Sequence, residues 1–150
     1  MDDRRTQVGF LAATIVLLAA CSSSTPAASG TPSSSASSAG QATQTSDGGQ
    51  VTVVADWAGP GGGAVFDITL DTHSVDLDAL DLSDAILRND RGETMSAQPW
   101  AAPMGGHHRQ GALTFRGDAA PFFAGATWVE LVVSGVGDLP ERTLRWEVGS

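Results

Sequence analysis

The stretch Phe66-Asp67-Ile68-Thr69-Leu70-Asp71 determines the fold class, because large apolar and polar residues alternate along it without interruption. Successive side chains of a β-strand point to opposite faces of a sheet, so this pattern predicts a strand with one buried and one exposed face. Similar patterns predict six further strands, at Val51–Trp57, Ala85–Arg88, Thr94–Gln98, Leu113–Phe115, Val129–Val133 and Leu144–Val148.

Turn-forming residues separate these strands, and no segment sustains a helical period. About seven short strands with turns between them predict an all-β fold, an antiparallel immunoglobulin-like β-sandwich. Gly59-Pro60-Gly61-Gly62-Gly63-Ala64 also fits a dinucleotide-binding pattern. That pattern needs a helix directly after it, whereas the Phe66 strand follows here, so we expect a hairpin turn.

The first twenty residues have the layout of a secretory signal peptide. Arg4 and Arg5 form a basic start, Val8–Ala20 is apolar, and small residues precede Cys21. The apolar run has 13 residues, whereas a membrane-spanning helix needs about 20. The ending Leu18-Ala19-Ala20-Cys21 resembles the lipobox of bacterial lipoproteins, which implies a lipidated Cys21 and a protein anchored on the extracytoplasmic face of the cell membrane. Export by the general secretory route or by the twin-arginine route remains open.

The segment after Cys21 consists almost entirely of small and polar residues. Between Ser22 and Gln50, 25 of 29 residues are Ser, Ala, Thr, Gly or Pro. Such a segment buries too little apolar surface to offset its ordering entropy, so we expect a disordered linker. The predicted organisation is a signal peptide (1–20), a lipidated cysteine with a disordered linker (21–50) and a β-sandwich domain (51–150).

The charge of the chain restricts its partners. After the signal peptide there are 15 acidic residues and six arginines, which gives a net charge of −9, and there is no lysine. A surface without basic clusters does not favour nucleic acid. The expected partners are the membrane, through the N-terminal lipid, and an extracytoplasmic protein. Cys21 is the only cysteine, so the domain contains no disulfide and no blue-copper site.

All three histidines lie in two short segments. The first is Thr72-His73-Ser74-Val75-Asp76-Leu77, and the second is Gly106-His107-His108-Arg109-Gln110-Gly111-Ala112-Leu113-Thr114-Phe115. Together they resemble segments of small uncharacterised bacterial secreted proteins and lipoproteins. The resemblance covers most of residues 51–148. It implies an immunoglobulin-like extracytoplasmic domain and carries no known chemistry.

The histidines are candidate metal ligands, because imidazole is a common ligand of zinc and copper. Strict alternation along the neighbouring strands places Asp71, His73 and His108 on an outward face and His107 inward. Gly105 and Gly106 would let the chain curl so that His107 joins the other two histidines. An alternative is structural: a His–Asp–Arg hydrogen-bond cluster that fixes the loops at one end of the sandwich. The candidate ligands for Zn(II) or Cu(II) are His73, His107, His108, Asp71, Asp76 and Met104.

Two further residues are candidate ligand contacts: Trp100, in the loop Pro99–Pro103, and Arg109. Ser74 and His73 do not form a nucleophile–base pair if the chain is extended there, because adjacent side chains point to opposite faces. We therefore expect no enzyme. The leading hypothesis is a membrane-tethered, extracytoplasmic β-sandwich that binds a ligand or partner. The alternative is a metal-binding or metal-handling lipoprotein that uses a three-histidine cluster.

Overall fold

The computed structural model describes residues 42–149, so the signal peptide, Cys21 and residues 22–41 of the expected linker lie outside the described residues. Within 42–149, no helix is long and apolar enough to cross a membrane. The elements are β1 (Ala42–Ser46), β2 (Val51–Trp57), a 3₁₀ turn (Pro60–Gly62), β3 (Val65–Thr72), β4 (Ile86–Asn89), β5 (Thr94–Ser96), β6 (His108–Thr114), α1 (Ala119–Phe123), β7 (Trp128–Val136) and β8 (Leu139–Glu147).

The strands form two four-stranded antiparallel sheets. Sheet A has the order β1-β2-β3-β6, and sheet B has the order β5-β4-β7-β8. This confirms the predicted all-β antiparallel sandwich, and all seven predicted strands are present. The immunoglobulin-like identity is not confirmed. A constant-type immunoglobulin sheet places its second strand beside its fifth, whereas sheet A continues from β2 directly to β3.

The core lies between the two sheets and follows from the alternation. Phe66, Ile68 and Leu70 of β3 are fully buried, and its aspartates are exposed. The ring of Phe66 is central to an aromatic cluster, with centroids 5.4 Å from Trp57, 5.8 Å from Phe115 and 5.2 Å from Trp146. Such aromatic pairs add about 0.5–1.5 kcal/mol beyond the effect of buried area.

The glycine-rich stretch after β2 forms the predicted hairpin turn. It joins β2 to β3, which pair with each other along all of β2. Gly59 and Gly63 have φ values of 80° and 74°, which glycine adopts readily because it has no Cβ. The indole N–H of Trp57 donates to the Gly63 carbonyl at 2.9 Å and holds the turn against the core.

Strand β1 corrects the predicted domain boundary. The segment up to Gln50 was expected to be disordered, yet Ala42–Ser46 pairs with β2. Trp146 and Arg142 of β8 donate to the carbonyl oxygens of its first and last residues, at 2.7 and 2.9 Å. These donors lie 104 and 96 residues away in sequence. Local composition carries no information about such distant partners, so the prediction was wrong for this part of the linker.

The short helix α1 is a second difference, because the sequence analysis found no helix. Asp118 caps it by accepting a backbone N–H of the first turn at 3.2 Å. Phe122 and Phe123 are buried, and Asn89 donates to the Phe122 carbonyl at 2.9 Å. Five residues make less than two turns, which is too short for a helical period to be seen in the sequence.

Candidate functional site

The predicted site residues lie at one end of the sandwich, where β3 ends and β6 begins. We call this region the histidine end; it comprises those two strand ends and the loops 73–85 and 103–107. Asp71 pairs in register with His108, and His108 Nδ1 donates to the Asp71 carboxylate at 2.5 Å. This confirms that the two residues share an outward face. Both side chains are more than half exposed, so the pair contributes at most about 1 kcal/mol to stability.

His107 makes a different contact. Its Nδ1 donates to the Val75 carbonyl at 3.0 Å, and the side chain is exposed. The inward direction that strict alternation predicts for His107 is wrong, because His107 lies in the turn that precedes β6, with a φ of 61° at Gly106. The chain curls at this glycine, as the alternative to strict alternation predicted. His73, just after β3, is exposed as well.

The predicted metal ligands are only partly brought together. Within residues 42–149, no group of three or more His, Cys, Asp or Glu side chains is placed to hold a metal ion. Asp76 instead accepts the backbone N–H of Asp78 at 2.9 Å, and Met104 is 79% exposed. The structure therefore joins two of the proposed donors, Asp71 and His108. Binding of Zn(II) or Cu(II) by the whole set stays a prediction.

Arg109 connects the loops of the histidine end. The side chain is 6% exposed, and its guanidinium donates to four backbone carbonyls. The acceptors are Leu77 and Leu80 at 2.7 Å each, and Pro103 and Ala102 at 3.0 Å each. The planar guanidinium has five N–H groups in a fixed arrangement, which suits several acceptors at once. Arg109 therefore fixes segment 77–80 against segment 102–103.

Asp78 fixes the same loops with a negatively charged carboxylate, which accepts backbone N–H groups instead of donating to carbonyls. Its Oδ1 accepts the backbone N–H groups of Gly105 at 2.8 Å and Gly106 at 2.9 Å. These two bonds lower the pKa of the Asp78 carboxyl below its usual value, and the bond from Gly106 has the larger effect. Gly105 has no room for a side chain, because a Cβ would lie 2.1 Å from the His108 carbonyl oxygen. These contacts are those expected of a polar cluster that fixes loops.

Trp100 and Arg109, the two candidate ligand contacts, are buried. Trp100 is 8% exposed, and its indole N–H donates to the Gly111 carbonyl at 3.1 Å. The guanidinium carbon of Arg109 lies 4.7 Å from the Trp100 ring centroid, within the range of a cation–π contact. The structure thus places both residues beneath the loops as packing and loop-fixing groups, rather than on an exposed ligand-binding surface.

The exposed face of sheet B carries a different set of residues, which we call the sheet-B patch: Ile86, Arg88, Trp128, Glu130 and Arg145. Arg88 and Arg145 flank Glu130 in one cross-strand row, with nitrogen–oxygen distances of 2.7 and 3.6 Å. The Arg145 guanidinium carbon lies 4.3 Å from the Trp128 ring centroid. Ile86 is 41% exposed. The patch combines an aromatic ring, an exposed aliphatic group and two arginines on a regular sheet.

Sequence reasoning did not identify this patch, although part of the signal was present. Trp128 precedes the buried Val129 and has the same parity as Glu130, which places it on the outward face. The arginine row could not be read in the same way. It depends on β4 and β8 both lying beside β7, and alternation within one strand does not reveal its neighbours.

Comparisons with known proteins found no match to a protein-family model, to a curated protein or to a solved structure. The resemblance to small bacterial secreted proteins therefore stays a prediction. The geometry of the described residues is the basis for the functional argument.

Proposed function

We propose that this chain is a membrane-tethered, extracytoplasmic β-sandwich that binds a protein partner through the sheet-B patch and catalyses no reaction. The observation that carries the proposal is the Trp128 ring under the Arg145 guanidinium, on the same outward face as the exposed Ile86. Tryptophan and arginine are enriched among the residues that dominate protein–protein affinity.

The side chains of the patch are held in place before a partner arrives. Arg145 contacts Trp128, Glu130 and Glu147, and Arg88 is bonded to Glu130. Ordering a flexible side chain on binding opposes association by about 0.5–1.5 kcal/mol. Side chains that are already ordered avoid most of this loss, which favours binding at the patch.

The charges of the patch indicate what the partner presents. The Glu130 side chain is 13% exposed and lies between two arginines that are each 45% exposed. Arg88 uses its Nε for Glu130, and its two terminal nitrogens have no hydrogen-bond partner among residues 42–149, so they can serve a binding partner. We infer a partner surface with an apolar group that covers Ile86 and a carboxylate that reaches Arg88. Such a carboxylate would form charge-assisted hydrogen bonds.

The predicted lipid anchor at Cys21 would keep the sandwich near the membrane, so the partner is expected on the extracytoplasmic side as well. Twenty residues separate Cys21 from Ala42, the first residue of β1. If flexible, they span about 25 Å on average, so the sandwich would reach partners close to the membrane. The alternative, metal handling, is supported by the adjacent donors Asp71 and His108.

A site-specific photo-crosslinking experiment tests this proposal. A photoreactive phenylalanine analogue is placed at Ile86, and in a matched variant at Val65, which is also 41% exposed but lies on sheet A. We expect one dominant adduct from position 86 in intact cells of the native host. Arg145→Glu should abolish it, because this change removes the cation above Trp128 and repels the carboxylate of the partner.

The adduct is then identified by mass spectrometry, and its binding is measured with purified components. Trp128→Ala should weaken binding at least about tenfold, as expected for a residue central to an interface. The control Thr69→Ala, on the outward face of sheet A, should leave binding unchanged. Identical adducts from positions 65 and 86, or equal affinities of the Trp128 and Thr69 variants, would refute the proposal.

A further inference from the structure

Strand β1 occupies a position between β2 and β8 that we call the β1 slot. Trp146 and Arg142 of β8 donate to the carbonyls of Ala42 and Ser46. Both donors are only 3% exposed. A buried donor without an acceptor is strongly unfavourable, above all a charged one. Arg142 also donates to the carbonyls of Val136 and Gly48, so the bonds to Ala42 and Ser46 favour a strand in the slot, although Ser46 is not the only acceptor of that guanidinium.

The strand that fills the slot contributes few apolar contacts of its own. Ala42 is its one apolar residue and is partly buried, while Thr43 and Thr45 are exposed. The pairing with β2 is a backbone ladder, and the bonds from β8 go to carbonyl oxygens. The same segment of a second copy would make identical bonds, so the slot does not distinguish its own β1 from that of another molecule.

The connection between β1 and β2 is short and strained. It reverses direction over Asp47–Gln50, and Gln50 has a φ of 68°. This left-handed conformation is unfavourable for a residue with a Cβ. Gly49 leaves no room for a side chain, because a Cβ there would lie 2.8 Å from the Leu139 side chain. Short hinges under strain favour strand exchange, since an extended hinge relieves the strain.

We propose that β1 is exchanged between two copies of this chain, so that β1 of each copy fills the β1 slot of the other. Each copy keeps the bonds from Trp146 and Arg142 to the carbonyls of Ala42 and Ser46. The two hinges extend, which gives up the bond from Arg142 to the Gly48 carbonyl. Anchoring on one membrane would raise the local concentration of copies, which favours pairing. The exchange involves the β1 edge of sheet A and is independent of the sheet-B patch.

A disulfide across the register pair Thr43–Asp56 tests the proposal directly. The Thr43 hydroxyl already donates to the Asp56 carboxylate, so the two side chains are adjacent. The full chain carrying Thr43→Cys and Asp56→Cys is co-expressed with two different C-terminal tags. Membranes are then oxidised mildly and analysed without reductant. We expect a covalent dimer that carries both tags and is absent from each single-cysteine variant.

A second cysteine pair keeps the test valid if the first variant misfolds, and a hinge variant tests the role of strain. Thr45→Cys with Val54→Cys joins the next outward-facing register pair. Inserting four glycine and serine residues after Gly48 relieves the hinge. It should lower the dimerisation constant of the otherwise unchanged chain about 25-fold, since each of the two strained residues corresponds to a factor of about five. Light scattering on the detergent-purified parent chain measures its mass without any substitution.

Three results would overturn the proposal: disulfides that form only within one chain, equal amounts of dimer from the single-cysteine variants, or a monomeric parent chain by light scattering. A two-tag dimer from either cysteine pair that the hinge insertion reduces would establish exchange.

Discussion

Replacing Arg109 with alanine should destabilise the domain by about 3–4 kcal/mol. The buried bond to the Leu77 carbonyl accounts for about 2 kcal/mol, within the range for a charged donor. The bonds to Leu80, Pro103 and Ala102 are part-buried. Those carbonyls regain water in the variant, so we assign about 0.5 kcal/mol to each. Urea unfolding followed by tryptophan fluorescence should show a midpoint lowered by roughly 1.5–2 M at an m-value near 2 kcal/mol/M.

Two matched variants separate the geometry of the guanidinium from its charge. Arg109→Lys keeps the charge but not the planar array of donors, so an intermediate loss is expected. Arg116→Ala removes an exposed arginine and should change stability by no more than about 0.5 kcal/mol. Hydrogen exchange should show lost protection in segments 77–80 and 102–103 of the Arg109→Ala variant. A loss below about 1 kcal/mol for Arg109→Ala, or a lysine variant as stable as the parent, would refute this reasoning.

Three further predictions concern the stability of the domain at low pH, the binding of zinc and the lipid anchor at Cys21. The folded pKa of Asp78 lies below the ordinary value of 3.8, so its contribution is complete above about pH 4 and is lost as pH falls through the folded value. Asp78→Asn should therefore flatten the fall in stability below about pH 4, and an unchanged acid titration would contradict this. On the leading hypothesis, zinc titration should show no micromolar site. A micromolar site in the parent that both His73→Ala and His107→Ala/His108→Ala lose would instead establish the alternative, the three-histidine cluster. Cys21→Ala should abolish labelling by a fatty-acid probe and release the protein from membranes, whereas parent-like fractionation would contradict the lipobox hypothesis.

The fold class could be predicted from the sequence because strand alternation is a local property. Phe66 and Leu70 were assigned to the core and Asp71 to the surface, and the structure agrees. The same parity placed both His108 and Asp71 on an outward face, and in the structure the two side chains make contact. Parity failed for His107, because it lies in the glycine-containing turn that ends where β6 begins at His108.

The loop contacts could not be predicted, because they join segments that are distant in sequence. Arg109 binds carbonyls 32 and 29 residues before it, and Asp78 binds N–H groups 27 and 28 residues after it. The histidine segments suggested a polar cluster at this end. Only the folded structure reveals that Arg109 and Asp78 hold the loops of the histidine end together and that these loops bury Trp100.

The sequence by itself determined the all-β class, the positions of seven strands and the inward or outward direction of most of their side chains. Each of these follows from a period of two along a few neighbouring residues. Only the tertiary structure decided that Ala42–Ser46 is a strand and that Arg88 and Arg145 flank Glu130. The physical reason is the same for both. The stabilising partners come from strands that are adjacent in space but far apart in the chain, and strand order is set by packing of the whole core.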